Sequence, residues 1–247
     1  MRSLTPPHDI LNFLGIGAQK SGTSWLYEKM RLHPHIAFPA GKEIHFWDRK
    51  ITQGIGWYRS LFSGREFEGN LCGEITPAYS SLPIETIRKC HADFPDLRLF
   101  YLLRNPIDRA WSSAKMALAR SEMEIHEASD QWFIDHFKSQ GSLLRGDYET
   151  CLRNWLKYYP REQMLICFFE ELLEKPEVLL KKCFRHIGVS ADLYDWSADF
   201  KKPVRKGAVA EIPPPLRSVL EKIYHPKIES LQEYLGVNLS PWLLKSG

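Results

Sequence analysis

The chain has little of what marks several common protein classes. Its five cysteines, Cys72, Cys90, Cys151, Cys167 and Cys183, are odd in number, widely spaced and never arranged as C-x-x-C. That pattern suggests neither a disulfide framework nor a zinc site, and the five read as reduced, partly buried thiols. Long hydrophobic runs are missing as well. The N-terminal MRSLTPPHDILNFLGIG is too short in apolar residues for a signal core or a membrane span, so no span is expected and the chain reads as cytoplasmic. Charge of one sign is not in excess. A net charge of +3 over 247 residues provides no global basic field, and no nucleic-acid partner is expected. No repeat, low-complexity tract or linker divides the sequence, and the only proline cluster, Pro213 to Pro215, precedes a helical pattern in LRSVLEKIY. One domain over residues 1–247 is therefore expected, with 44% hydrophobic residues sufficient for one large core. His33 and His35 form an HPH pair without a third ligand at useful spacing, so no metal is expected there.

What is present is an alternation of short apolar runs and amphipathic segments. Strands are predicted near residues 11–17, 71–75, 97–103 and 164–169, and helices near 23–32, 83–91, 106–119, 148–158 and 176–187. This rhythm predicts an α/β fold with a central, mostly parallel sheet flanked by helices. Ligands in such folds sit beyond the carboxyl ends of the strands, which directs attention to the residues just after each one.

The stretch FLGIGAQKSGTSWL sets a strand-like run against a glycine-bounded loop and then a helix. Gly17 and Gly22 have the spacing of a phosphate-binding loop, in which backbone N–H groups and a helix N-terminus solvate phosphate oxygens. A nucleoside-triphosphatase loop carries its lysine immediately after the second glycine. Here Thr23 and Ser24 follow Gly22, and the lysine is Lys20, inside the loop. The shift points to a phosphate-bearing donor other than a nucleoside triphosphate. The loop also brings Ser21 and, one residue beyond Ser24, Trp25, an aromatic plane suited to stacking on a base. After the third predicted strand comes Arg104-Asn105-Pro106, where Asn105 can cap a helix and Pro106 can occupy its first turn. Arg104 with Ser112 suits a monoester phosphate, guanidinium and hydroxyl acting together. A third strand end is Glu74-Ile75-Thr76-Pro77, a carboxylate and a hydroxyl.

Taken together and in order, QKSGTSWL, KEIHFWD, GEITPAY, LLRNPIDRAWSS, FFEELLEKPE and RKG resemble the sulfotransferases that use 3′-phosphoadenosine-5′-phosphosulfate (PAPS), from about Phe13 to the end of the chain. The segment LHPHIAFPAGKEIHFWD is closer to the glycan (heparan sulfate type) and bacterial branch than to the cytosolic phenol and steroid branch. The resemblance implies a P-loop-like α/β domain, transfer of a sulfuryl group from PAPS to a hydroxyl or amine, and release of adenosine 3′,5′-bisphosphate (PAP) without a metal.

It also implies roles. Lys20, Ser21, Gly22, Thr23 and Ser24 match the 5′-phosphosulfate loop, with Lys20 on the oxygen bridging phosphorus and sulfur. Arg104 and Ser112 match the 3′-phosphate site, Trp25 the adenine-stacking position, and Arg205, Lys206 and Gly207 the late loop over the 3′-phosphate. Glu43 matches the general base, with His45 as its neighbour. Two positions depart from the pattern: Ile75 stands where many glycan members carry a lysine, and Phe169 where the strand before the acidic segment often ends in tyrosine, at the adenine. Physical chemistry agrees with these assignments. In-line sulfuryl transfer moves negative charge from nucleophile to leaving oxygen, so it needs a cation at one end and a base at the other.

The acceptor is not legible. Residues 122–145, with Trp132, Phe133 and Phe137, form an amphipathic stretch suited to lining an acceptor cleft for a glycan, a lipid or a small molecule alike. Two further classes stay open on the residues alone: a P-loop nucleotide or small-molecule kinase, for which Lys20 is the obstacle, and a catalytically silent nucleotide-binding protein on the same scaffold.

Overall fold

The computed structural model describes residues 10–197 and 210–244. Five parallel strands form one sheet in the order β2-β3-β1-β4-β5. They are β1 (Phe13–Gly17), β2 (Ile36–Ala37), β3 (Leu71–Ile75), β4 (Arg98–Leu103) and β5 (Met164–Phe168). Four of them fall where the apolar runs predict, and β3 does so to the residue. The two-residue β2, paired to Leu71 and Cys72, has no sequence signal.

Both faces of the sheet are buried, which explains why its strands are nearly continuous in apolar residues rather than alternating. Leu14 and Ile16 of β1 and Leu99, Tyr101 and Leu103 of β4 face the larger core. That core is closed by α3 (Ile84–Asp93), α4 (Pro106–Arg120), α7 (Tyr148–Leu156) and α10 (Pro214–Leu235). Phe13, Phe100 and Leu102 face the smaller core, under α1 (Thr23–Met30) and α9 (Pro176–Ile187). The remaining α-helices among the described residues are α2 (Ile55–Ser60), α5 (Asp130–Lys138), α6 (Gln140–Arg145), α8 (Phe169–Glu174) and α11 (Ser240–Leu243). Among the described residues no helix is long and apolar enough to cross a membrane.

Strand order places the site. The chain leaves β1 toward β3 and leaves β4 toward β5, so the two loops that follow β1 and β4 part company at their carboxyl ends and open a crevice between them. Asn105 caps α4 as the sequence predicts: its Oδ1 accepts from the Ile107 N–H at 3.0 Å, with Pro106 in the first turn. The cap fixes where Arg104 enters the crevice.

Candidate functional site

The loop after β1 turns sharply, with Lys20 at φ 68° and Gly22 at φ 90°. Gly22 is required twice over. Its φ is left-handed, and a Cβ there would come within 2.5 Å of the Leu172 side chain and 3.4 Å of the Phe169 ring. As N-cap of α1 it supplies no side-chain cap, so the first N–H groups of the helix, which have no intrahelical partner, remain available to an anion at the positive end of the helix.

Arg104 joins the two sides of the crevice. Its Nη1 donates to the Lys20 carbonyl at 3.1 Å, and its guanidinium lies over the Phe169 ring, 4.5 Å from the centroid. Burial pulls its pKa below the ordinary arginine value, offset in part by Asp108. Lys115 is likewise lowered by burial and by the charge of Arg104. Asp108 and Lys115 lie one turn before and one turn after Ser112, which puts Ser112 on the face of α4 turned toward the guanidinium. Lys20, Gly22, Arg104 and Phe169 are thus brought together, although they come from three segments of the chain.

Trp25 is 5% exposed and packs in the smaller core. Phe133 and Phe137 are also core residues, at 2% and 0% exposure, because α5 turns them inward; Trp132, stacked on His136, remains at the rim. Ile75 is fully buried against β1, on the smaller-core side of the sheet. His33 is a structural histidine: its Nε2 meets the Ser190 carbonyl at 2.9 Å and its Nδ1 accepts from the His35 N–H. Arg205, Lys206 and Gly207 lie outside the described residues.

The segment from Lys42 to Asp48 carries the second half of the site. His45 stands between two carboxylates: Nε2 is 3.1 Å from Glu43 Oε2, and Nδ1 is 2.9 Å from Asp48 Oδ2. A neutral imidazole has one N–H and satisfies one carboxylate at a time, whereas both contacts are satisfied together when the ring carries two protons. His45 thus links Glu43 to Asp48 through its two ring nitrogens.

Beneath this segment is a buried carboxylate that sequence reading placed only at a strand end. Glu74 is fully buried and accepts from the hydroxyls of Tyr58, Thr76 (2.7 Å) and Tyr79 (2.9 Å) and from the Ile44 N–H. Tyr79 Oη in turn accepts from the Phe46 N–H at 2.8 Å. The base-bearing segment therefore hangs from Glu74 through its own backbone. Burial raises the Glu74 pKa above its ordinary value of 4.5. A raised folded-state value means that its contribution to stability is fully present below pH 4.5 and is lost as pH rises through the folded value. Glu74→Gln strands at least one of the four donors and is expected to cost roughly 1–3 kcal/mol at acidic pH. Urea melts should show that difference shrinking as pH rises above 4.5; a gap independent of pH would mean that Glu74 titrates normally.

Two sets of contacts escaped the sequence altogether. Gln19 Oε1 accepts from Ser113 Oγ at 3.5 Å, and Ser113 meets His136 Nε2 at 3.3 Å, tying the loop to α4 and α5. Lys42 Nζ lies 3.2 Å from Thr23 Oγ1, 3.1 Å from Ser24 Oγ and 3.4 Å from Glu43 Oε1, linking the anion-binding helix end to the carboxylate.

The comparisons with known proteins bear on the same residues. A sulfotransferase-domain family model matches residues 12–207. The human heparan sulfate glucosamine 3-O-sulfotransferase 6 is 34% identical over 164 residues, covering 65% of this chain and 47% of that protein. The human heparan sulfate glucosamine 3-O-sulfotransferase 3B1 is 30% identical over 224 residues, covering 87% and 56%. The chain spans about half the length of these curated relatives. Among solved structures, a sulfotransferase from Alicyclobacillus acidocaldarius superimposes with a TM-score of 0.74 at 27% identity, covering 94% of this chain and 98% of that one.

Proposed function

Because the chain belongs to the sulfotransferase family, we propose that it moves the sulfuryl group of PAPS to a hydroxyl of a sugar-bearing acceptor, by in-line displacement and without a metal. An acceptor oxygen lone pair forms the new S–O bond. The bond from sulfur to the bridging oxygen breaks, its electron pair stays on the phosphate of the departing PAP, and the acceptor proton passes to Glu43. Lys20 is the cation for the leaving oxygen. Thr23, Ser24 and the N-terminus of α1 hold the 5′-phosphosulfate, and Arg104, Ser112 and Phe169 hold the 3′-phosphate and the base. His45 and Asp48 orient Glu43. The observation that carries this reading is that the helix end suited to the phosphosulfate and the carboxylate suited to the acceptor lie within reach of one amine, that of Lys42. A sugar acceptor is favoured by the relatives named for glucosamine 3-O-sulfation.

Titration calorimetry with PAP and with ATP, each with and without magnesium, tests the reading. PAP should bind about 100-fold better than ATP and without magnesium, since each charge-assisted contact contributes ~1.5–3 kcal/mol. Tighter binding of magnesium ATP would make the protein a kinase instead.

The 3′-phosphate assignment has its own expected outcome. Arg104→Ala should weaken PAP about 10- to 100-fold and Ser112→Ala less, because a neutral hydroxyl contributes about half as much as a guanidinium. Arg104 also braces the loop through the Lys20 carbonyl, so adenosine 5′-phosphosulfate, which lacks the 3′-phosphate, serves as the control. It should bind weakly and be little changed by Arg104→Ala. Equal losses for both nucleotides would assign Arg104 to loop bracing alone.

A further inference from the structure

We infer that Lys42 is a catalytic residue whose ammonium binds the equatorial oxygens of the sulfuryl group in flight; the inference rests on the sulfuryl-transfer reading above. Three observations carry it. The ammonium touches both hydroxyls at the opening of α1, Thr23 Oγ1 at 3.2 Å and Ser24 Oγ at 3.1 Å, where the anionic end of the donor is held. It also touches the carboxylate that receives the acceptor proton, at 3.4 Å from Glu43 Oε1. A sulfuryl group being transferred must pass between those two places. Finally, the Lys42 side chain is only 11% exposed, and the backbone just after it is anchored through Ile44 to Glu74, so the charge stands on a fixed mount rather than a mobile loop.

The chemistry distinguishes Lys42 from Lys20. Lys20 serves the oxygen that keeps the electron pair when the S–O bond breaks. Lys42 serves the three oxygens that travel with sulfur, exchanging its hydroxyl contacts for them when PAPS is bound and leaving the hydroxyls to donate to the same anion. PAP lacks that group. Lys42 therefore has a ligand in PAPS that it does not have in PAP, which no purely structural role for the lysine would produce.

The test compares PAP and PAPS binding and acceptor turnover in the wild type, Lys42→Met and Lys42→Arg. The methionine variant should bind PAP within about threefold of wild type, which also certifies its fold. It should bind PAPS about 10-fold more weakly and turn over about 10- to 50-fold more slowly at saturating donor, with part of the rate restored by arginine. An unchanged PAPS-to-PAP affinity ratio, or turnover near wild type, would overturn the inference while leaving sulfuryl transfer in place. Should the methionine variant fail to fold, Lys42→Gln, which keeps a hydrogen-bond donor and removes the charge, is read by the same ratio. A wild type that does not prefer PAP to ATP would instead remove the reading on which the inference stands.

Discussion

Lys20→Ala is expected to turn over about 100-fold or more below wild type while retaining appreciable affinity for PAP. The asymmetry follows from when the charge is needed. In the proposed mechanism the bridging oxygen of the donor carries little charge in the ground state, and the α1 N-terminus, Thr23, Ser24 and Arg104 are assigned to hold the nucleotide without Lys20. As the S–O bond lengthens, negative charge gathers on that one oxygen, and a fixed cation there stabilises the transition state more than the bound donor. The loop geometry is consistent with a side chain selected for placement: Lys20 takes a left-handed φ of 68°, a conformation that non-glycine residues adopt at a cost. Single-turnover rates with bound PAPS, measured beside PAP titrations, separate the two effects. Near-normal turnover would remove Lys20 from the mechanism, and a parallel loss of PAP affinity would make it a binding residue.

Glu43→Gln should have the widest range of effects of any substitution in this chain. The amide keeps the shape and reach of the carboxylate but cannot take the acceptor's proton, so PAP binding should persist while transfer collapses. For a sugar or other aliphatic hydroxyl the loss should be roughly 100- to 10,000-fold. For an activated phenol, already partly ionised, it should be much smaller. A series of acceptors of rising acidity therefore reads the mechanism directly as a shrinking defect. A uniform defect would mean that Glu43 only positions the substrate, and the proton would then go to His45, whose Nε2 is 3.1 Å away.

Much of this was legible in the sequence, for identifiable reasons. A strand buried on both faces is mostly apolar, so LCGEI and RLFYLL declare themselves despite Glu74 and Arg98. The Asn105-Pro106 start of α4 is local chemistry and reads directly. Family motifs in order led to Lys20, Glu43, Arg104 and Ser112. Three things were hidden because they depend on which way a side chain turns. Trp25 has the composition of a stacking residue but sits on the inward face of α1, beside Leu26 and Met30. Glu74 looks like a strand-end carboxylate open to a ligand, yet it points into the hydroxyls of Thr76 and Tyr79 just beyond it and of Tyr58 from α2. Lys42 is far along the chain from Thr23 and Ser24, and no spacing rule connects them; only the fold of the segment over Thr76 and Tyr79 brings them together. The helices α5 and α6 were read as one amphipathic stretch, since the break at Ser139, which caps the second, is a single residue.

Hanging the 43–48 segment from Glu74 has a consequence for how acceptors are chosen. A segment whose backbone amides are already bonded to buried oxygens has spent its conformational entropy during folding, before any substrate arrives. Binding an acceptor then does not have to order the base, and no part of the acceptor's interaction energy goes to closing a lid on that side. The wall that carries Glu43 is accordingly the same for a good acceptor as for a poor one. With Glu43 as the proposed base, two acceptors of equal acidity should therefore differ by the contacts they make elsewhere rather than by how far they draw that carboxylate into place.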